Sequence, residues 1–83
     1  MTWTLHLRPA ARRALDALDK KTLARVEAML ARLAEDPKAN ASKLTNRPEW
    51  RVRVGDFRIL FEIHEAEVVV LVLTIAHRRE VYR

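Results

Sequence analysis

Apolar and polar residues alternate strictly in two neighbouring segments near the middle of the chain. Apolar side chains occupy every second position over residues 50–54 and again over residues 57–61. A period of two predicts two β-strands that each bury one face. Gly55 and Asp56 separate the two segments, and Gly55 permits the positive φ of a type II′ turn. The sequence therefore predicts a hairpin with a two-residue loop.

The tight turn fixes the register of this predicted hairpin. Val54 should pair with Phe57 and Arg53 with Arg58, which keeps the apolar side chains on one face and places Arg51 with the other two arginines. Like charges directly opposite each other cost up to about 1 kcal/mol, and an anion would reverse the sign. Arginine can simply cover a solvated strand face with its stem. Three guanidinium groups near a single acid, Glu62, favour a phosphate site instead.

The remaining pattern predicts two helices and two further strands. A short strand over residues 3–7 precedes a helix over residues 9–18, and Asp19 caps a second helix that ends near Glu35. The leucine-rich stripe of the second helix is too short for a coiled-coil seam, which favours packing against a sheet. Residues 37–49 read as a loop. Residues 67–76 are apolar on both faces and predict an interior strand.

These elements predict an α+β fold in the order β-α-α-β-β-β. The helical hairpin should pack on one face of a small, mainly antiparallel sheet, and the arginine face should be the uncovered one. The 83 residues are expected to form a single domain, residues 1–83.

Composition narrows the class of partner. The net charge is +5, the isoelectric point is near 10.4, and 12 of the 16 basic residues are arginine, which favours bidentate contacts to a polyanion such as nucleic acid or an acidic protein segment. The chain has no cysteine, which excludes disulfides, thiolate zinc sites and cysteine nucleophiles. The longest apolar run, residues 68–73, is too short to cross a bilayer. We expect a cytoplasmic protein with no membrane partner.

A second basic cluster follows the last predicted strand. Residues 77–83 contain His77, Arg78, Arg79, Tyr82 and Arg83. They would extend the arginine patch if the fold brings them together, and a frayed polar terminus is the alternative. Among the three histidines, His77 is the candidate for proton transfer near neutral pH. The histidines are dispersed along the chain, so no metal site is expected.

Together, residues 50–58 and 77–82 resemble the RelE/ParE toxin superfamily, and the resemblance covers nearly the whole chain. It implies a toxin of a type II toxin-antitoxin system. RelE-type members are endoribonucleases that cut messenger RNA in the ribosomal A site, so the implied partners are a cognate antitoxin, messenger RNA and the ribosome.

The resemblance also implies the site residues. Matched by position, the catalytic residues would be Arg51, Arg53, Arg58, Arg78 and Tyr82, and Arg79 and Arg83 would bind RNA. The implied reaction needs no metal or other cofactor, because the ribose 2′-OH attacks the adjacent phosphate.

One position departs from the RelE pattern. RelE-type sites often have lysine where this chain has Arg51, and arginine practically never loses its proton. Either His77 or Arg51 would have to accept the proton, or catalysis would rest on orientation and electrostatics.

Two other functions fit the same residues. A ParE-type toxin would inhibit DNA gyrase by binding it and would cut nothing. A non-catalytic nucleic-acid-binding module would use the basic surface alone.

Overall fold

Two helices pack against one face of a five-stranded mixed sheet. The structure is a computed structural model that describes residues 2–39 and 41–77. The sheet order is β1-β5-β4-β3-β2, with β1 parallel to β5 and the other pairs antiparallel. The elements are β1 (Thr4–Leu7), α1 (Pro9–Asp16), α2 (Lys20–Glu35), β2 (Ser42–Lys43), β3 (Trp50–Val54), β4 (Phe57–His64) and β5 (Val69–His77).

The predicted α+β architecture is confirmed, with one strand missed. The expectation that residues 37–49 form only a loop is wrong at Ser42–Lys43, which pair with Arg51 and Trp50 of β3. Both β2 residues are exposed, so the short strand forms through backbone pairing and carries no apolar alternation to reveal it. The first helix also ends earlier than expected, at Asp16, where the Ala17 N–H bonds back to the helix carbonyls.

The predicted register of the β3–β4 hairpin is confirmed at every pair. Val54 lies opposite Phe57, Arg53 opposite Arg58, and the pairing continues to Trp50 and Phe61. Gly55 has φ +58°, and Asp56 is not among the residues with positive φ. That combination fits a type II′ turn, because a type I′ turn would need positive φ at both loop positions.

The core lies between the helices and the sheet. The central residue of α2, Val26, is fully buried, as is Phe61 in the middle of β4. The apolar stripe of α2 therefore packs on the sheet as predicted. In the described part of the chain, neither helix is long and apolar enough to cross a membrane. The buried apolar residues are Ala11, Leu15, Val26, Leu30, Leu33, Val52, Val54, Ile59, Phe61, Val70, Val72 and Ile75.

The start of α2 is fixed by the predicted cap. The Asp19 carboxylate accepts a hydrogen bond from the Thr22 backbone N–H at 2.9 Å. Hydrogen bonding by the Thr22 side chain and then by its backbone N–H lowers the pKa of Asp19, because both stabilise the charged form. The cap satisfies one of the backbone donors that a helix leaves unpaired at its first turn.

Val68, in the turn before β5, has a strained backbone. Its φ is +54°, a region that a β-branched residue rarely adopts. Two hydrogen bonds hold the residue there: its N–H donates to the Glu65 carbonyl at 3.2 Å, and its carbonyl accepts from the Thr4 N–H at 3.0 Å. Contacts on both sides of the turn therefore maintain a conformation that costs about 1–2 kcal/mol.

Replacing Val68 with asparagine should stabilise the protein. Asparagine tolerates positive φ, so we expect the free energy of unfolding to rise by about 1 kcal/mol in urea denaturation. The control is Val69→Asn at the next residue, where φ is negative and the half-buried side chain belongs to β5; this variant should lose stability. Equal losses in the two variants would contradict the assignment of strain to Val68.

Candidate functional site

Arg53 and Arg58 face each other across the hairpin that the glycine turn creates. In a two-residue hairpin the residues beside the loop, here Val54 and Phe57, form a hydrogen-bonded pair, so the next pair is non-hydrogen-bonded. Such pairs bring their Cα atoms to about 4.5 Å and their side chains closer together than other pairs do. The register thus places two guanidinium groups side by side on one face of the sheet.

The three arginines of this face differ in exposure. Arg53 is exposed and Arg51 is half-buried, whereas Arg58 is only 4% exposed. The expectation that the whole arginine face is uncovered is therefore wrong for Arg58. Its strand, β4, is the middle strand of the sheet, and Arg58 lies between Arg53 on β3 and Ala76 on β5. Arginine is almost never buried to this degree without a specific reason.

Glu62, the acid that the sequence places near the arginines, has a different partner. Its carboxylate lies 2.9 Å from His64 Nε2, and four residues along β4 separate it from Arg58, about 13 Å in an extended strand. Among the residues that the structure describes, no carboxylate forms an ion pair with Arg51 or Arg53. Glu62 therefore does not form an ion pair with Arg51 or Arg53.

His77 ends β5 and lies on the helix side of the sheet. It pairs with Phe57, and the two rings meet edge to face with centroids 5.3 Å apart and an interplanar angle of 84°. Ala76 is the residue opposite Arg58. Because neighbouring residues point to opposite faces, His77 and Arg58 do not share a face. Proton transfer by His77 stays a prediction.

The other predicted site residues, Arg78, Arg79, Tyr82 and Arg83, lie outside the described residues. Within residues 2–39 and 41–77, no group of three histidine, aspartate or glutamate side chains is suited to hold a metal ion.

Two arginines of α2, which the sequence analysis did not single out, lie beside the hairpin. A cavity of about 300 Å³ and a neighbouring one of about 290 Å³ open between α2 and β3, and Arg53 lines both. Arg25 and Arg32 are seven residues apart, which places them on one side of a helix. This seven-residue spacing is the feature of the sequence that could have identified the two arginines as neighbours. The α2 side of the cavities consists of Arg25, Ala28, Met29 and Arg32.

The sequence pattern of the ParE toxins of type II toxin-antitoxin systems (parDE) matches residues 5–82. This chain belongs to the ParE toxin family. The match includes the helices, the hairpin and β5, and it places the protein in the RelE/ParE superfamily of toxins.

Solved structures of RelE toxins resemble this ParE-family toxin closely. The toxin-antitoxin complex RelBE2 from Mycobacterium tuberculosis is 26% identical with a TM-score of 0.84, over 94% of this chain and 100% of that chain. The archaeal RelE-RelB complex from Pyrococcus horikoshii OT3 is 22% identical with a TM-score of 0.83, over 94% and 97%. The E. coli RelBE complex is 19% identical with a TM-score of 0.82, over 90% and 95%. No curated protein matches the sequence significantly.

Proposed function

We propose that this ParE-family toxin is a metal-independent endoribonuclease that cleaves messenger RNA on the ribosome. The observation that carries the proposal is the Arg53–Arg58 pair, in which an exposed and a buried guanidinium lie directly opposite each other. A sheet gains no stability from such a pair, because like charges at opposed positions repel. A bound phosphate converts the same arrangement into a favourable one.

The proposed reaction is an in-line transfer at one phosphodiester. The ribose 2′-oxygen loses its proton and bonds to the adjacent phosphorus, and the bond from phosphorus to the 5′-oxygen breaks. A 2′,3′-cyclic phosphate remains, and the leaving oxygen takes up a proton to become a 5′-hydroxyl. Negative charge grows on the non-bridging oxygens in the transition state. Preorganised positive groups aimed at those oxygens lower the barrier.

Arg53 and Arg58 would stabilise this negative charge in different ways. Arg53 is exposed and would contact the phosphate from the solvent side. Arg58 is held beside it with little water around it, and the field of a charge is stronger where water is excluded. We propose that the pair acts as one cationic clamp, with Arg58 as the part whose position is fixed by its surroundings.

The other proposed roles follow from side-chain chemistry. Arg51, two residues before Arg53 on the same strand face, would orient the nucleotide. Arg78 would neutralise charge near the leaving oxygen, since a guanidinium keeps its proton in proteins and is a poor proton donor. Tyr82 would stack on a base, and Arg79 and Arg83 would bind the RNA backbone. With arginine at Arg51, we propose that orientation and electrostatics carry more of the catalysis than a general base does.

A cognate antitoxin is the proposed protein partner. The RelE relatives from M. tuberculosis, P. horikoshii and E. coli were solved as toxin-antitoxin complexes. With a net charge of +5, this toxin would attract an acidic segment of its antitoxin. Such binding would also stabilise the folded state, because a ligand that binds only the native form shifts the folding equilibrium.

Inhibition of DNA gyrase is the second candidate function. The family that matches this chain is that of the ParE toxins of the parDE toxin-antitoxin system. Under this alternative the arginine face would bind gyrase, and RNA would remain intact.

Mapping of 5′ ends in cellular RNA separates the two functions. Induced expression of the wild-type toxin should create new 5′-hydroxyl ends inside translated reading frames, because the ribosome presents the substrate. Arg53→Gln should remove these ends, since the clamp loses its exposed member. Arg13→Gln, which neutralises an exposed arginine on α1, is the matched control and should cut as the wild type does.

Growth arrest with DNA damage and unchanged RNA ends would refute the ribonuclease proposal and support gyrase inhibition. Unchanged RNA with normal growth would exclude both toxic activities and leave a nucleic-acid-binding module.

A further inference from the structure

The α2 helix carries a second stripe of residues beside the one that enters the core. Arg25 and Arg32 lie seven residues apart, two turns or about 10 Å along the helix axis. Ala28 and Met29 lie between them at helical spacing. The buried stripe of Val26, Leu30 and Leu33 is a different one. The second stripe contains both arginines of α2, which are exposed, and no acid.

This stripe forms one wall of a groove whose other wall is β3. Arg25 lies over the hairpin turn, where its Nη1 is 3.2 Å from the position that a Cβ on Gly55 would take. Arg32 lies further along, where Ser42 and Arg51 line the same cavity. Arg53 lines both cavities of the groove. The groove therefore runs from the hairpin turn to β2 along the helix side of β3, and the Arg53 side chain extends from the opposite face of that strand.

Four arginines and no acid line the groove. Among the described residues, no carboxylate forms an ion pair with any of these arginines, which are Arg25, Arg32, Arg51 and Arg53. The nearest acid on α2 in sequence, Glu27, lines a separate cavity with Leu5 and Leu7. Four cations around one groove repel each other, so occupation by an anion with several charges relieves the repulsion.

The shape and chemistry of the groove favour a phosphodiester strand over a peptide. A docked helix needs apolar anchors at several positions, whereas Met29 is the only large apolar side chain that α2 contributes to the groove. Arginine forks match phosphate oxygens in bidentate geometry. Arg25 and Arg32 are spaced about 10 Å apart along the helix axis, so they can contact different phosphates of one chain.

We propose that this groove binds the backbone phosphates of the RNA strand beside the bond that is cut. Arg25 and Arg32 are positioning residues that hold the strand in register with Arg53. The inference rests on the proposed ribonuclease function and adds a second set of contacts to it. It also explains why α2 presents arginines toward the hairpin rather than toward open solvent alone.

The test measures binding separately from cleavage. The probe is a labelled single-stranded 2′-O-methyl RNA, which lacks the nucleophilic hydroxyl, titrated by fluorescence anisotropy at several salt concentrations. The double variant Arg25→Gln/Arg32→Gln should bind about tenfold more weakly. Its plot of log affinity against log salt should be shallower by about 1.4, since two phosphate contacts are lost. Where cleavage is measured, KM should rise while kcat stays nearly unchanged.

The control variant is Lys20→Gln/Lys21→Gln, which removes the same net charge from exposed positions at the start of α2. It should keep wild-type affinity. Equal losses in the two double variants would overturn the proposal, because net charge alone would then account for the binding. Normal RNA binding with weakened antitoxin binding in the arginine variant would overturn it too, and would assign the groove to an acidic protein segment.

Failure of the groove and failure of the ribonuclease function give different results. A wild-type toxin that creates new RNA ends in cells while the arginine variant binds the probe normally refutes the groove alone. A wild-type toxin that neither binds the probe nor creates new ends refutes both.

Discussion

Replacing Arg58 with glutamine is expected to reduce the rate of RNA cleavage by about 10²- to 10³-fold, the usual cost of removing one group that stabilises transition-state charge. Arg58 is 4% exposed and lies opposite Arg53, so its charge acts from a fixed position. Single-turnover cleavage of a ribosome-bound messenger RNA measures the effect. Arg58→Lys keeps the charge and loses the planar fork, so an intermediate rate is expected.

Arg58→Gln changes a buried residue, and a folding defect could imitate a catalytic one. Arg53→Gln separates the two effects because Arg53 is exposed. It should lower cleavage as well, while relief of like-charge repulsion leaves the free energy of unfolding unchanged or raises it by a few tenths of a kcal/mol. Loss of activity with no loss of stability is the behaviour of a residue kept for function.

The double variant completes the comparison. If the two arginines act as one clamp on one phosphate, Arg53→Gln/Arg58→Gln should cut little more slowly than the worse single variant, because contacting residues are not additive. Full cleavage by Arg53→Gln, or losses that multiply in the double variant, would contradict the clamp.

The hairpin could be read from the sequence because its determinants are local. The register follows from Gly55, from the alternating residues on either side of it and from the two-residue length of the loop. The structure shows every predicted pair. The cap at Asp19 is local in the same sense, since its partner Thr22 is three residues away. Local rules predict which arginines share a strand face.

The solvent exposure of each arginine depends on the rest of the fold, which the sequence predicts less well. Arg53 and Arg58 have the same residue type and the same face, yet one is exposed and the other is buried. Strand order contributes to this difference, because Arg58 lies on the middle strand between Arg53 and Ala76, whereas β2 pairs only with Arg51 and Trp50 of β3 and does not reach Arg53. Alternation also could not predict β2, because a strand of two exposed residues buries no side chain.

The groove beside α2 shows the same limit. The sequence contains the seven-residue spacing of Arg25 and Arg32, but only the packing of α2 against the sheet decides that this side faces β3. The placement of His77 likewise follows from the β4–β5 register, which puts it opposite Phe57 and away from the arginine face. A register shift between Leu60 and Phe61 means that the pairing could not be obtained by simple counting from the hairpin.

Phe61→Ala is expected to have the largest effect on stability. Phe61 is the largest of the fully buried side chains and belongs to the core cluster, where it lies opposite Val72 of β5. Its loss should lower the free energy of unfolding by about 3–5 kcal/mol, the transfer and cavity cost of truncating a core phenylalanine. A chain of 83 residues has only about 4–12 kcal/mol in total. Urea denaturation followed by circular dichroism measures the loss.

Phe57→Ala is the matched control, because it makes the same substitution on the same strand at a half-buried position. Phe57→Ala should lower the free energy of unfolding clearly less than Phe61→Ala does, and equal losses would contradict the assignment of the core to the middle of β4.

The antitoxin allows a second comparison. If the antitoxin binds only the folded toxin, its addition at about 100 times its dissociation constant restores about 2.7 kcal/mol. Phe61→Ala should then regain most of its native signal in the complex, whereas a toxin whose stability does not respond to antitoxin would exclude coupling between binding and folding.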